Sequence, residues 1–331
     1  MVLVMLAACG PGTPPAGGDD DGGGDGDAPA IDASGVPTDG TPAGPDAAPW
    51  PPQTTRLRIA SRCSEPIWIA HSNNVPFDQN VRLAPGEYHD YPIAAGGLAS
   101  ARFWPKVGCD ASGHACRIGD TGEGGGAPCG PTGCQPPVDS KFEATFAPIG
   151  SSDATFYNLS LVDGYTLPFT VTPVGPGAGA GACSASDCSR LTLDACPMHE
   201  ALGGGGIFPA YGDVDLRIRH ASGATIACLS PCKAWHYPAP YGLGRPEGQD
   251  PGLHMCCPTP IDPGTGNCTT ANGCMTPDAC RSPTDPLGVT RTDFVALIHS
   301  TCPTAYSYSY DDEAGLHACP AAAGFEVVFC P

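Results

Sequence analysis

From Arg56 to the end of the chain, short runs of alternating apolar and polar residues recur. In FYNLSLVDGYTLPF, Phe156 to Phe169, the alternation holds as far as Asp163-Gly164 and resumes at Tyr165, with Pro168 between Leu167 and Phe169. This predicts a strand, a turn and an edge strand, because proline has no N–H to give a neighbour. A carboxylate at the tip of such a turn sits on a rigid sheet, so Asp163 is a candidate ligand-facing group. KFEATFAP sets Phe142, Ala144 and Phe146 on one face and Glu143 on the other, and SARFWPKVGC sets Arg102 and Trp104 opposite Phe103. Upstream, Leu57 and Ile59 alternate with Arg56 and Arg58, EPIWIAHS is a short apolar run, and RLAPGEYHDYPI puts a Pro-Gly turn between two β-prone pieces. That part predicts an antiparallel meander.

Near the end, AYSYSYDD places Tyr306, Tyr308 and Tyr310 on one strand face, and GFEVVFC reads as a closing strand. One segment has helical period instead. In TRTDFVALIHSTCP, Thr290 is the expected cap, Phe294, Leu297 and Ile298 form an apolar stripe, and Pro303 stops the run.

Composition divides the chain. Residues 10–52 carry eight aspartates, no Lys or Arg and almost nothing large and apolar before Trp50. Such a segment cannot bury enough surface to offset its chain entropy, so residues 10–53 are expected to be a disordered acidic linker. Setting those aspartates aside changes the formal charge from −19 to −11. The rest is still acidic, which argues against nucleic acid and admits neutral sugars or cationic ligands. Before the linker, residues 1–9, MVLVMLAAC, end in Leu6-Ala7-Ala8-Cys9, which resembles a bacterial lipobox with Cys9 as the lipidated residue. Membrane attachment through that lipid alone, on an outer membrane or cell surface, or plain secretion, is the expected location.

The 19 cysteines point to an oxidising compartment, because zinc or redox motifs would need C-x-x-C pairs that the sequence lacks. Removing Cys9 leaves an even number. Eleven cysteines fall between Cys183 and Cys302 among many Gly and Pro, so this region needs disulfides to hold it. The Gly-rich GDTGEGGGAP lacks a following G-K-[ST], and GPGAGAGAC lacks a βαβ context, so neither predicts a nucleotide site. The histidines form no H-E-x-x-H, and no Ser-His-Asp ordering is apparent. No metal and no cofactor are expected.

CPTAYSYSYDD followed by CPAAAGFEVVFCP resembles the C-terminal signature of the thaumatin-like family, the osmotin and zeamatin type. ARFWPKVGC, KFEATF, FYNLSLVDGYTLP, DLRIRHASGATIACLSPC, the pair Cys256-Cys257, and TPDAC resemble further blocks of that family in the same order. The resemblance spans about residues 54–331. It implies an all-β fold, a flattened antiparallel β-sandwich, with a disulfide-rich lobe at about 183–302 that contains a short helix. It also implies the pairs Cys63–Cys330, Cys109–Cys116, Cys183–Cys319, Cys188–Cys302, Cys196–Cys228, Cys232–Cys256 and Cys257–Cys280. Thr121 stands where the family has a cysteine, which leaves Cys129 with Cys134 and Cys268 with Cys274.

The family's acidic cleft corresponds here to Arg102, Glu143, Asn158, Asp163 and Asp311, with Asn158 in place of an aspartate. Three functions follow from the resemblance. A β-1,3-glucanase would use Glu143 as acid and Asp163 as base or nucleophile, since glycoside hydrolysis takes two carboxyl groups. A binding protein would hold β-glucan-like polysaccharide by hydrogen bonds and by stacking on Trp104, Tyr157 and Tyr165, and could be antifungal in effect. An inhibitor would instead recognise a glycosidase through its loops. Because Asn158 cannot exchange a proton, binding by a monomer is the favoured reading.

Overall fold

The computed structural model describes residues 55–119, 138–239, 241–258, 265, 267–268 and 275–331. In chain order the strands are β1 Leu57–Ser61, β2 Ile67–His71, β3 Val81–Leu83, β4 Tyr88–Tyr91, β5 Leu98–Val107, β6 Lys141–Phe146, β7 Ala154–Ser160, β8 Gly164–Tyr165, β9 Phe169–Val174, β10 Ser186–Asp187, β11 Arg217–Arg219, β12 Thr225–Leu229, β13 His317–Pro320 and β14 Gly324–Phe329. The helices are α1 Pro231–His236, α2 Gly252–Cys256, α3 Pro277–Cys280, α4 Asp293–Thr301 and α5 Asp312–Gly315.

One sheet has the order β10-β9-β14-β1-β4, a second β13-β7-β6-β5-β2-β3, and a small third β11-β12-β8. The two large sheets pack face to face through aromatic side chains. Phe325 of β14 meets Phe142 at 5.5 Å, Phe146 at 5.7 Å and Tyr157 at 4.6 Å between ring centroids. All four are buried, and each burial stabilises by roughly 1.5–3 kcal/mol. The alternation read in KFEATF is the reason: Phe142, Ala144 and Phe146 enter the core while Glu143 and Thr145 face away.

The first and last strands lie side by side and parallel, Leu57 opposite Phe325 and Ser61 opposite Phe329. Cys63–Cys330 fastens this junction across 267 residues of sequence. Disulfides also join Cys109–Cys116, Cys183–Cys319, Cys188–Cys302, Cys196–Cys228, Cys232–Cys256 and Cys257–Cys280. Cys9, Cys129, Cys134 and Cys274 lie outside the described residues, as do the lipobox and the acidic linker. So many disulfides belong to a protein that matures in an oxidising compartment. Among the described residues no helix is long and apolar enough to cross a membrane.

Four local expectations are corrected. RLAPGEYHDYPI is not a hairpin, because β3 pairs with β2 while β4 pairs with β1 in the other sheet. The strand after Asp163-Gly164 likewise leaves its sheet: β7 pairs with β6, whereas β9 pairs with β14 and β10 and is no edge. AYSYSYDD forms turns, with Tyr308 buried and Tyr306 in a single parallel bridge to Ser160. The cap of α4 is Thr292, whose hydroxyl accepts from Val295 N at 3.2 Å, and the buried stripe is Phe294, Val295 and Ile298.

Arg56 also departs from its expected polar face. It is wholly buried, donating to the carbonyls of Ala147 (2.8 Å), Ala321 and Ala323 (3.2 Å) and to Thr155 Oγ1 (3.1 Å). Those bonds satisfy a desolvated guanidinium and tie the start of β1 to the approach of β14.

Candidate functional site

The register of three strands builds the site. Arg102 on β5 is opposite Glu143 on β6, and Glu143 is opposite Asn158 on β7. Residues opposite one another share a sheet face, so these three form one row on the face turned away from the core. Arg102 Nε donates to Glu143 Oε1 at 2.8 Å, with both side chains partly exposed. The Oδ1 atom of Asn158 is buried and has no hydrogen-bond partner among the described residues.

Alternation along β7 adds Phe156 to the same face, opposite Thr145 and 42 % exposed. Leu316, just before β13, is 46 % exposed. The aromatic residues expected for stacking are not available. Trp104, Tyr157 and Tyr165 are each 1 % exposed, two of them with hydroxyls bonded to the main chain at Ser184 and Thr192. β7 turns Tyr157 inward, and Trp104, although it shares the Arg102 face of β5, is covered there, whereas Phe156, one residue from Tyr157, is turned outward by the period of two.

Asp163 lies beyond the end of β7, and its carboxylate is shared by two ammonium groups. Lys141 of β6 donates to Oδ2, and Lys233 of α1 stands 3.0 Å from Oδ1. Burial works against the charged carboxylate, yet the two lysines prevail and hold its pKa well below the usual range. The main chain joins in, Ser230 N donating to Asp163 O at 3.1 Å. Since Ser230 also caps α1, accepting from Lys233 N, the Asp163 turn fastens the six-stranded sheet to the disulfide-rich lobe. Gly164 makes the approach possible. At φ +131° its position would put a Cβ 2.1 Å from Cys228 O.

Asp311 is also committed. It is buried, and its Oδ2 accepts from Ser307 N at 3.0 Å and Ser307 Oγ at 2.6 Å while lying 2.8 Å from His299 Nε2. The hydrogen bond to Asp311 raises the pKa of His299, outweighing the opposing effect of burial. Ser307 is 1 % exposed and directed at the carboxylate, so Ser307, His299 and Asp311 are not a nucleophilic triad. Their neighbour Tyr306 runs beside β7, its N–H donating to Leu159 O at 2.9 Å and its hydroxyl to Asp312 Oδ1 at 2.7 Å. Burial first, then the hydrogen bond to Asp312 and the charges of Asp312, Asp311 and Glu143, push its phenol pKa up.

The structure therefore brings Arg102, Glu143 and Asn158 together, and connects Asp163 to them only through Lys141, two residues from Glu143 on β6. Sequence reasoning missed Lys141, Lys233 and Phe156. Alternation alone could have put Lys141 and Phe156 on the Glu143 face, but Lys233 arrives on helix α1 from a distant part of the chain with no local signal.

The Thaumatin family model matches residues 61–242 and 247–331. The chain belongs to the thaumatin family. It is 32 % identical over 235 residues to Thaumatin-like protein 1 of Pyrus pyrifolia, covering 70 % of this chain and 72 % of that one. It is 28 % identical over 284 residues to Thaumatin-like protein 1 of Prunus persica, covering 83 % and 90 %. A protein of Prunus avium named Glucan endo-1,3-beta-glucosidase is 29 % identical over 235 residues, covering 70 % and 71 %.

Proposed function

We propose that this thaumatin-family domain is an extracytoplasmic binding protein for a neutral, β-glucan-like polysaccharide, held on the Arg102, Glu143, Asn158 and Phe156 face without being cleaved. The observation that carries the reading is the pair of lysines on Asp163. Hydrolysis of a glycoside takes one carboxyl group to protonate the leaving oxygen and a second as nucleophile or base. Asp163 has both oxygens engaged by cations, Asp311 is buried under Ser307 and His299, and position 158 is an amide. Glu143 is left with an arginine rather than with a second carboxylate.

Binding needs less. Guanidinium, carboxylate and amide offer donors and acceptors to sugar hydroxyls, and the exposed ring of Phe156 offers an apolar surface to a sugar face. Arg102 beside Glu143, and two lysines beside Asp163, leave this region without excess negative charge, which suits an uncharged polymer better than a cationic one. Residues 10–53 then act as a tether from a lipid on Cys9, an arrangement that palmitate labelling of the full-length chain tests.

Incubation with laminarin and with insoluble β-1,3-glucan separates the alternatives. Retention on the insoluble glucan without new reducing ends supports binding. Reducing ends that disappear in Glu143→Gln would instead establish hydrolysis, the activity in the name of the Prunus avium relative. Neither retention nor cleavage would point to a protein target.

A further inference from the structure

We infer that Cys232, His236, Glu247 and Cys256 constitute a latent zinc site, unmasked when the Cys232–Cys256 disulfide is reduced. One ligand atom from each of the four lies within 4.8 Å of those of the others. Cys232 and His236 are four apart on α1, which places them on one helix face, and Cys256 ends α2. Glu247 comes from the segment between the two helices.

Two of the spacings fit a tetrahedron. With Zn–S about 2.3 Å and Zn–N or Zn–O about 2.0 Å, tetrahedral angles set sulfur and nitrogen about 3.5 Å apart and nitrogen and oxygen about 3.3 Å apart. Cys232 Sγ lies 3.7 Å from His236 Nδ1, and His236 Nδ1 lies 3.2 Å from Glu247 Oε1. The bonded sulfurs must separate to admit the metal. His236 Nδ1 is also 3.1 Å from Cys232 O, a contact that the metal would replace. Two thiolates and a carboxylate would leave one net negative charge around Zn²⁺.

The chemistry balances with a dithiol as reductant. Its two sulfurs form a disulfide and pass two electrons and two protons to Cys232 and Cys256, breaking their S–S bond. Both thiols then release their protons to solvent as two Zn–S bonds form. Cys232 is the entry point, being partly exposed where Cys256 is 7 % exposed. The site is independent of the polysaccharide face, because it uses no residue of the Arg102–Asn158 row.

Co²⁺ is the probe. After mild phosphine reduction of the folded protein, one Co²⁺ per chain should bind with thiolate-to-cobalt charge-transfer and tetrahedral ligand-field bands, and Zn²⁺ should displace it. The oxidised protein should show neither band. His236→Ala and Glu247→Gln keep the disulfide, so both should fold, and after reduction each should bind Co²⁺ at least about tenfold more weakly. The site is refuted if the bands are equally strong in those variants or persist in the Cys232→Ser/Cys256→Ser double variant. It is refuted equally if they are missing when peptide mapping shows the Cys232–Cys256 pair opened.

Discussion

Lys141, on β6, and Asp163, beyond the end of β7, form an ion pair in which the lysine side chain is 7 % and the aspartate side chain 23 % exposed. Removing the cation leaves a largely buried carboxylate with Lys233 alone. Lys141→Met should therefore destabilise by about 2–3 kcal/mol at neutral pH, less than for a fully orphaned buried charge because Lys233 remains. The pH dependence has a definite sign. The folded pKa of Asp163 is depressed, so its contribution is present above the unfolded value of about 3.9 and is lost only as pH falls through the lower folded value. In Lys141→Met the loss should begin at higher pH. Urea midpoints between pH 7 and pH 2 check both statements.

Phe156 is exposed on the face that carries Asn158 and Glu143, so its replacement should separate binding from folding. Phe156→Ala should leave the thermal midpoint within about 2 °C, as surface substitutions usually do, and weaken retention on insoluble β-1,3-glucan by about 1 kcal/mol or more. Equal retention by the variant would remove this ring from the site.

Asn158 faces Glu143 directly, and an aspartate there would set two carboxylates opposite each other. Asn158→Asp should cost about 0.2–1 kcal/mol at pH 7. Mutual repulsion raises the folded pKa of the pair above the unfolded values, so the penalty is present at neutral pH and fades as pH falls below that range. Denaturation of both proteins at pH 7 and pH 3 should show the difference shrinking.

The strands themselves were largely legible, because KFEATF and FYNLSLVDG have the period that a half-buried sheet imposes. Their partners were not. The β3–β4 and β7–β9 connections look like hairpins locally, yet each carries the chain into another sheet, where its partner lies far away in sequence. The site was half legible for the same reason. Register sets Arg102, Glu143 and Asn158 in a row, while the neutralisation of Asp163 depends on Lys233, 70 positions along the chain, and so on tertiary structure.

His299 should carry a pH dependence of the opposite kind. Its folded pKa is raised by the hydrogen bond to Asp311, so the stabilisation is full below the unfolded value near 6.5 and is lost as pH rises through the folded value. The imidazole is 42 % exposed, so screening keeps the effect below about 1 kcal/mol. His299→Gln should flatten stability above about pH 6, and NMR titration of the imidazole in the parent protein should place its midpoint above the ordinary value.

Gly164 holds the junction between sheet and lobe, and two glycines with positive φ allow the cause of its requirement to be isolated. At Gly86, φ is +85° and nothing lies within 4 Å of the place an alanine methyl would take, so Gly86→Ala should cost only the backbone strain of about 1–2 kcal/mol. At Gly164, φ is +131° and the methyl would stand 2.1 Å from the carbonyl oxygen of Cys228, main chain that the β8–β12 pairing and the Cys196–Cys228 disulfide both hold. Gly164→Ala should therefore cost at least about 3 kcal/mol, adding a clash to the strain. Relief requires β8 to move away from β12, which would also draw Asp163 from Lys233. Equal losses in the two variants would mean that strain alone explains the glycine; a larger loss at Gly164, with its acid denaturation shifted towards neutral pH, would show that the close approach keeps Asp163 between its lysines.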